Sequence, residues 1–394
     1  MTGRAPIQRV LQIHTRYRQA GGEDRVVEAE RQLLERAGIA VQQVIFDNAD
    51  LRESQSLAGD LRLAVSAISS RAAARRVRAA VAAHRPQVVH VHNTFPSASP
   101  SVYTASAVDG VPVVQTVHNY RFVCPSATAF RDGHPCMDCV GRAIPLPAVV
   151  HACVRGSRPQ SAVAAMTLAV HRARGTFRDG IAQYLALTAF QRGLLVAGGY
   201  PASRIRVVAN FVEPDPGEGT GPRAGVLYVG RLSIEKGILP LLGAAALGPG
   251  LVRIVGDGPL APAVAAGRAI HAGKVAPQEV HTEMQRALAL VLPSIWFEGF
   301  PLVVVEAYAA GTPIIASRIG SLAELVEDGV TGLLVEPSDP GALAVAMRWA
   351  IDHPEEMHRM GRQARARYEE RYRGPTHLAA LLDAYAVVAA EHVA

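Results

Sequence analysis

The sequence predicts an α/β protein of two doubly wound domains in tandem, each with a parallel sheet between layers of helices. Three observations lead there. At 394 residues the chain is too long for one ordinary core. Short β-branched runs alternate with helical segments, the pattern that feeds parallel strands through crossover helices. The alternation also happens twice, on either side of a Pro- and Gly-rich stretch, FVEPDPGEGTGPRAG, at residues 211–225.

The first series opens with VLQIH (10–14) as a strand, then a Gly21-Gly22 turn. EDRVVEAERQLLERAG reads as a helix, with Val26, Val27, Leu33, Leu34 and Ala37 at helical spacing and Gly38 as its stop. Strands are expected at residues 41–46, 87–92, 111–118 and 184–188, and IRVVAN (205–210) closes the series. The second series runs through strands at 226–230, 252–256, 288–293 and 313–317, with a helix at 237–247 after the first of them. A last helical segment, about 375–393, lies beyond these elements.

Composition narrows the function. Hydrophobic residues are 49% and charged residues 19%, as in a folded globular protein. Residues 1–205 carry 24 arginines and no lysine against 13 acids, +11, while residues 206–394 carry 16 bases against 21 acids, −5. The first half therefore favours an anionic partner or surface. Nucleic acid is not expected, because no helix-turn-helix, zinc-finger or RNA-binding signature accompanies the charge. The opening residues hold no apolar leader and no segment nears the ~20 apolar residues a bilayer span needs. A cytoplasmic protein is expected, either soluble or attached peripherally at the inner face of the membrane.

Open α/β sheets bind ligands at the carboxyl ends of their strands, and the second series is rich there. WFEGFPLVVVEAYAAGTPII (296–315) has two acids, Glu298 and Glu306, in an apolar run. Buried carboxylates need partners. Pro301 suits the first position of a helix reaching about Ala310, with Glu298 just before its start and Glu306 about one and a half turns in. Backbone amides at such a start bind anions. A phosphate there, with hydroxyls offered to a carboxylate on each side, describes a sugar–diphosphate–ribose. The alternative is a solvated Glu298 and a Glu306 paired with a buried arginine.

The chain has only two lysines against 38 arginines, and both fall near strand ends of this half. GRLSIEKG (230–237) places Arg231 after a strand and Lys236 at the head of the next helix, a pair able to neutralise a diphosphate. VGDGP (255–259) puts Gly256 at another strand end, and Lys274 with Val275 would border the base pocket.

These stretches resemble the retaining glycosyltransferases of family 4, glycosyl transferases group 1. The matching stretches are AGGEDRVV (20–27), TVHNY (116–120), VGRLSIEKG (229–237), VGDGP (255–259), EGFPLVVVEAYAAGTPIIAS (298–317) and ELVEDGVTGLLVEP (324–337). The resemblance implies the GT-B fold: two Rossmann-like domains facing a cleft, and a C-terminal helix crossing back to the first. Domains of 1–210 for the acceptor and 211–374 for the nucleotide-sugar donor are implied, followed by the helix 375–394.

It further implies that Glu306 holds the nucleotide ribose and Glu298 the transferred sugar. Arg231 and Lys236 would clamp the diphosphate, aided by backbone at Gly299, Phe300, Pro301 and Leu302. Gly21 and Gly22 would admit the phosphates, and His118 would sit over the sugar; a purely structural strand-end histidine is the alternative. A UDP- or GDP-type sugar donor, a glycan, glycolipid or small-metabolite acceptor, and no catalytic cofactor are implied. The competing expectation is a nucleotide-binding Rossmann protein without this activity. A dehydrogenase is disfavoured because TRYRQAGGED lacks the Gly-x-Gly-x-x-Gly spacing after the first strand.

Two expectations remain. Cys124, Cys136, Cys139 and Cys153 fall in one excursion, 120–160, and Cys136-Met-Asp-Cys139 has zinc-ligand spacing. A structural zinc is expected first, reduced thiols second and disulfides third. The stretch 155–178 carries Arg155, Arg158, Arg172, Arg174 and Arg178 beside Val163, Met166, Leu168 and Val170. With the Arg-rich segment 71–78 it is expected either to lie on anionic lipid or to be an ordinary helix with a buried face.

Overall fold

A computed structural model describes residues 6–17, 21–48, 57–107, 110–247 and 252–393. The first five residues, part of the stretch read for a leader, and Ala20, at the head of AGGEDRVV, lie outside them. The chain divides into two compact units: residues 1–128, 137–208 and 377–394 form the first, and residues 129–136 with 209–376 the second.

In the first unit, β1 (Arg9–Arg16), β2 (Ala40–Asp47), β3 (Val88–Val91) and β4 (Val113–Val117) form one sheet. The two-residue strands β5 (Phe130–Arg131) and β6 (His134–Pro135) pair separately as an antiparallel hairpin, and β7 (Gln183–Ala186) and β8 (Ile205–Val207) complete the large sheet. Its order is β2-β1-β3-β4-β7-β8, all parallel. Helices cover both faces of such a sheet, which is why β3 and β4 are buried from end to end.

The core joins Val10, Leu34, Val88, Val114 and Leu185 to Leu381, Ala384, Tyr385 and Val388 of the last helix, Gly374–Val393. Full burial of a large apolar side chain contributes about 1.5–3 kcal/mol, so this helix is an integral layer of the first unit. Burial also admits polar residues on one face. Gln12 and His14 alternate along β1, His90 lies two residues before His92 on β3 and its end, and the parallel register sets Gln12 opposite His90.

The second unit has β9 (Val226–Val229), β10 (Val252–Val255), β11 (Ile270–Gly273), β12 (Ala289–Leu292), β13 (Ile314–Ser317) and β14 (Gly332–Val335). Their order is β11-β10-β9-β12-β13-β14, again parallel. The outermost strands β11 and β14 are absent from the expected series. Both are four-residue edges, largely half-buried, and lack the continuous apolar run that marks a central strand. The helix after β12 spans Leu302–Ala309 with Pro301 as its N-cap at φ −74°, so Pro301 precedes the first helical residue instead of occupying it.

Candidate functional site

In the second unit the chemistry gathers where β9 and β12 end. Residues Ile234–Lys236 make one 3-10 turn that stops at Gly237, with φ +72°. A Cβ on Gly237 would meet the Pro293 carbonyl oxygen at 1.8 Å, so only glycine lets the two loops touch. The Ile295 amide donates to the Glu235 carbonyl at 3.0 Å and ties the same loops together. Lys236 is thereby delivered to Glu298.

The Lys236 ammonium donates to both Glu298 oxygens, at 2.8 and 2.9 Å, and lies 5.2 Å from the centroid of the Trp296 ring. The Ser294 hydroxyl donates to Glu298 Oε1 at 2.7 Å. Burial alone would raise the Glu298 carboxyl; Lys236 and these hydrogen bonds outweigh it and hold the carboxyl below its ordinary range. Glu298 is thus neither a solvated loop residue nor an unpartnered charge. An ammonium carries three protons, so two bonds to Glu298 leave one for an incoming anion.

The other expected residues lie after β9, β10 and β11 or at and within the helix after β12. Arg231 is exposed just beyond β9. Gly256, at φ +145°, closes against the Gly230 carbonyl, which a Cβ would approach to 1.9 Å. Lys274 is exposed and Val275 half-buried after β11. Gly299 accepts a hydrogen bond from Ser321 at its carbonyl, and Phe300 is buried. The Val304 amide closes the first turn on the Pro301 carbonyl, so the Leu302 amide lies ahead of the hydrogen-bonded ladder. Glu306 sits on the buried face of that helix.

In the first unit, His118 follows β4 and lines a cavity with Asn93, Phe95, Asn119, Arg121 and Thr167. Arg121 lies 4.0 Å from the Phe95 ring centroid, and its guanidinium donates to the Pro125 carbonyl at 3.2 Å. Burial, with His92 and His14 nearby, pushes the His118 imidazole well below the usual histidine range. Behind it lies a cluster that spacing did not reveal. Glu30, 1% exposed, accepts from Gln12 Nε2 at 2.9 Å and lies 2.9 Å from His90 Nδ1, 3.3 Å from His377 Nε2 and 3.4 Å from His92 Nε2. Burial would raise the Glu30 carboxyl, but the histidines and their hydrogen bonds hold it well below the ordinary value. Glu30, His90 and His92 bring ligand-type atoms within 4.8 Å of one another. Gln12, His377 and the Thr116 hydroxyl on His90 Nε2 complete a hydrogen-bonded network around them.

Two signals for this cluster were present in the sequence: an acid inside the apolar stripe of the helix Gly22–Arg36, and a His-x-His on a buried strand. Asp24 and His14 were also missed; His14 Nε2 is 2.8 Å from Asp24 Oδ1, and Asp24 Oδ2 accepts from the Gly21 amide at 2.8 Å. Gly21 itself is the helix N-cap at φ −121°, a Cβ there would meet nothing within 4 Å, and Gly22 is the first helical residue. The protein's own packing therefore does not demand glycine at 21.

Among the described residues, no three of the cysteines bring their sulfurs within 4.8 Å of one another. Cys124, Cys139 and Cys153 belong to the first unit, and Cys136 belongs to the second. Cys124 Sγ sits 3.1 Å from the Ser126 hydroxyl, and the buried Cys139 sulfur lies 3.9 Å from the Pro145 carbonyl. In the Arg-rich stretch, Leu168 faces inward and lines the cavity, and Arg172 donates to the Arg142 and Phe122 carbonyls. Arg155, Arg158 and Arg174 remain exposed.

Comparison with known proteins agrees with this geometry. Two family models lie end to end on the chain: a glycosyl transferase 4-like domain over residues 20–210, and glycosyl transferases group 1 over residues 219–367. A glycogen synthase of Mycobacterium tuberculosis is 41% identical over 162 residues, 38% of each chain. The D-rhamnosyltransferase WbpZ of Pseudomonas aeruginosa is 35% identical over 201 residues, 49% of this chain and 51% of its own. These matches span about two-fifths and one-half of those relatives' lengths. The structure of Anabaena Alr3699/HepE in complex with UDP superposes with a TM-score of 0.66 at 19% identity, covering 95% of this chain and 99% of that one. With both family models matched and two parallel six-stranded sheets in place, the chain belongs to the glycosyl transferases group 1, family 4, with the GT-B fold.

Proposed function

We propose that the protein is a retaining glycosyltransferase that moves a sugar from a nucleotide-diphosphate sugar to an acceptor hydroxyl. The observation that carries this reading is the buried Glu298 held by Lys236 and Ser294 where β9 and β12 end. Breaking the bond between the anomeric carbon and the phosphate oxygen leaves positive charge on the carbon and negative charge on the diphosphate. Lys236, Arg231 and the amides at the start of the helix Leu302–Ala309 meet the negative charge with groups fixed in advance. Glu298 keeps Lys236 in place and offers a carboxylate oxygen to the sugar hydroxyls; Glu306 takes the ribose. His118 is assigned to a sugar hydroxyl in the first unit's own cavity, and the acceptor hydroxyl attacks from the face the diphosphate leaves. A UDP- or GDP-type donor fits, and UDP is the ligand in the Anabaena structure. The acceptor is a glycan, a glycolipid or a small metabolite.

Glu306→Ala is expected to weaken nucleoside diphosphate binding by about 10- to 100-fold, because a hydrogen bond to a charged group contributes about 1.5–3 kcal/mol. Glu298→Gln, which still offers Lys236 an acceptor, is expected to bind the nucleotide and lose most transfer. Titration calorimetry with UDP and GDP checks the pair. Unchanged affinity in Glu306→Ala removes the ribose assignment.

A peripheral membrane contact is part of the proposal. Ile144, Leu146, Val150 and Met166 are 54–67% exposed in the first unit, and Arg155, Arg158 and Arg174 are exposed in the same stretch of chain. No helix among the described residues is long and apolar enough to cross a membrane. Each cation near an anionic surface contributes about 1 kcal/mol, so vesicles rich in phosphatidylserine should bind on the order of 100-fold better than neutral ones. Arg155→Glu, Arg158→Glu and Arg174→Glu together should abolish the difference. Equal sedimentation with both vesicle types leaves a freely diffusing acceptor as the better reading.

A further inference from the structure

The histidine cluster behind the first unit's cavity has a defined order. His92 and His118 stack with ring centroids 5.3 Å apart, and His92 Nδ1 lies 3.0 Å from His118 Nε2. Two bare nitrogens at that distance repel, and two N–H groups collide. One proton therefore lies between them, carried by one ring or the other.

Glu30 decides which ring carries it. His92 Nε2 is buried, has no hydrogen-bond partner of its own, and lies 3.4 Å from Glu30 Oε1. A lone pair on that nitrogen would face a carboxylate, whereas an N–H there is attracted to it. The carboxylate is held by the Gln12 amide and by His90 and His377. Burial, with His90 beside it, lowers the His92 pKa to about 4, so at neutral pH the ring carries a single proton. That proton belongs on Nε2, and Nδ1 is left as an acceptor.

We infer that Glu30 and His92 are positioning residues that fix His118 as its Nε2–H tautomer, leaving His118 Nδ1 as a hydrogen-bond acceptor for a ligand hydroxyl. The chain of contacts runs Glu30 carboxylate, His92 Nε2–H, His92 Nδ1, His118 Nε2–H. His118 lines the cavity with Asn119 and Arg121, and an acceptor nitrogen there selects a hydroxyl over a carbonyl or ether oxygen. The assignment rests on the glycosyltransferase reading only for the identity of that hydroxyl, a sugar's; the tautomer follows from the contacts themselves. His377 and His90, on the other sides of Glu30, hold the carboxylate without touching His118.

Nitrogen-15 NMR of the full chain, with histidine ring nitrogens labelled, reads the tautomers at neutral pH without any substrate. His118 is expected with its proton on Nε2 and a bare Nδ1; a proton on Nδ1 in the unsubstituted protein overturns the proposal. His92→Gln keeps an acceptor oxygen for His118 and should retain that tautomer, whereas His92→Leu and Glu30→Gln should give a mixture. A purely structural role would lower the melting temperature of all three and leave the His118 signal unchanged, which also overturns it. With a nucleotide-sugar donor, His92→Leu should lower kcat about 10- to 100-fold with little change in KM, as loss of an outer partner of a functional histidine does, and His92→Gln should recover most of it. If the NMR result holds while no nucleotide sugar is turned over, the tautomer relay stands and the glycosyltransferase reading falls.

Discussion

Lys236→Met should lower transfer by about 100- to 1,000-fold, the usual cost of removing one fixed group that stabilises a developing negative charge. The effect should fall mainly on kcat, since the diphosphate gains most of its charge as the sugar leaves. The same change also loosens the fold. Glu298 is 5% exposed and shares its charge with Lys236 across two hydrogen bonds. Removing one partner of a buried pair costs about 3–5 kcal/mol, because the remaining charge is left uncompensated. Lys236→Met with Glu298→Gln should therefore regain most of the stability and none of the transfer. The folded Glu298 carboxyl titrates below its unfolded value, so its contribution is present at neutral pH and is lost as pH falls through the depressed range. Lys236→Met should remove that acid sensitivity. Recovery of transfer by the double variant would separate Lys236 from the chemistry.

Gly237→Val should destabilise the second unit by roughly 2–5 kcal/mol. The left-handed backbone at φ +72° costs an L-residue about 1–2 kcal/mol. Forcing a side chain against the Pro293 carbonyl, 1.8 Å from a Cβ, adds about 1–3 kcal/mol of overpacking and pushes the loop carrying Lys236 away from Glu298. Gly21→Ala is the control, since Gly21 has ordinary backbone angles and open space, and should cost less than about 0.5 kcal/mol. Both tryptophans, Trp296 and Trp349, belong to the second unit, so tryptophan fluorescence during urea unfolding reports that unit alone. A Gly237→Val curve overlying the parent's would show that the two loops are not locked by this contact.

How much of this was legible beforehand depended on whether the signal was local. The strand cores were legible because both faces of a parallel sheet are covered, which leaves runs such as Val88–Val91 continuously buried. Edge strands β11 and β14 were not, since a half-covered four-residue edge has neither the length nor the pattern of a core strand. The positions of Glu298, Glu306, Arg231 and Lys236 at strand ends and within a helix were legible because strand ends and helix starts are read from one stretch of chain. The direct ion pair was not: it depends on the Gly237 contact with Pro293, between loops more than fifty residues apart.

The histidine cluster shows the same limit more sharply. His90 and His92 announce a polar face by their alternation, and Glu30 interrupts an apolar stripe, but only the register of β1 on β3 sets Gln12 opposite His90. His377 arrives from the far end of the chain. For Leu168 the sequence left lipid contact and a buried helix face both open, because helical spacing alone does not say which apolar face turns inward; the residue is buried.

The central claim is that the Lys236–Glu298 site transfers sugar from a nucleotide diphosphate with retention. The direct measurement is incubation with a panel of UDP- and GDP-sugars, following nucleoside diphosphate release and reading the anomeric configuration of the product by proton NMR. The account predicts release from at least one donor, a product with the donor's own anomeric configuration, and loss of both in Glu298→Gln. Release unaffected by Glu298→Gln, an inverted product, or nucleotide binding with no turnover across the panel would contradict it.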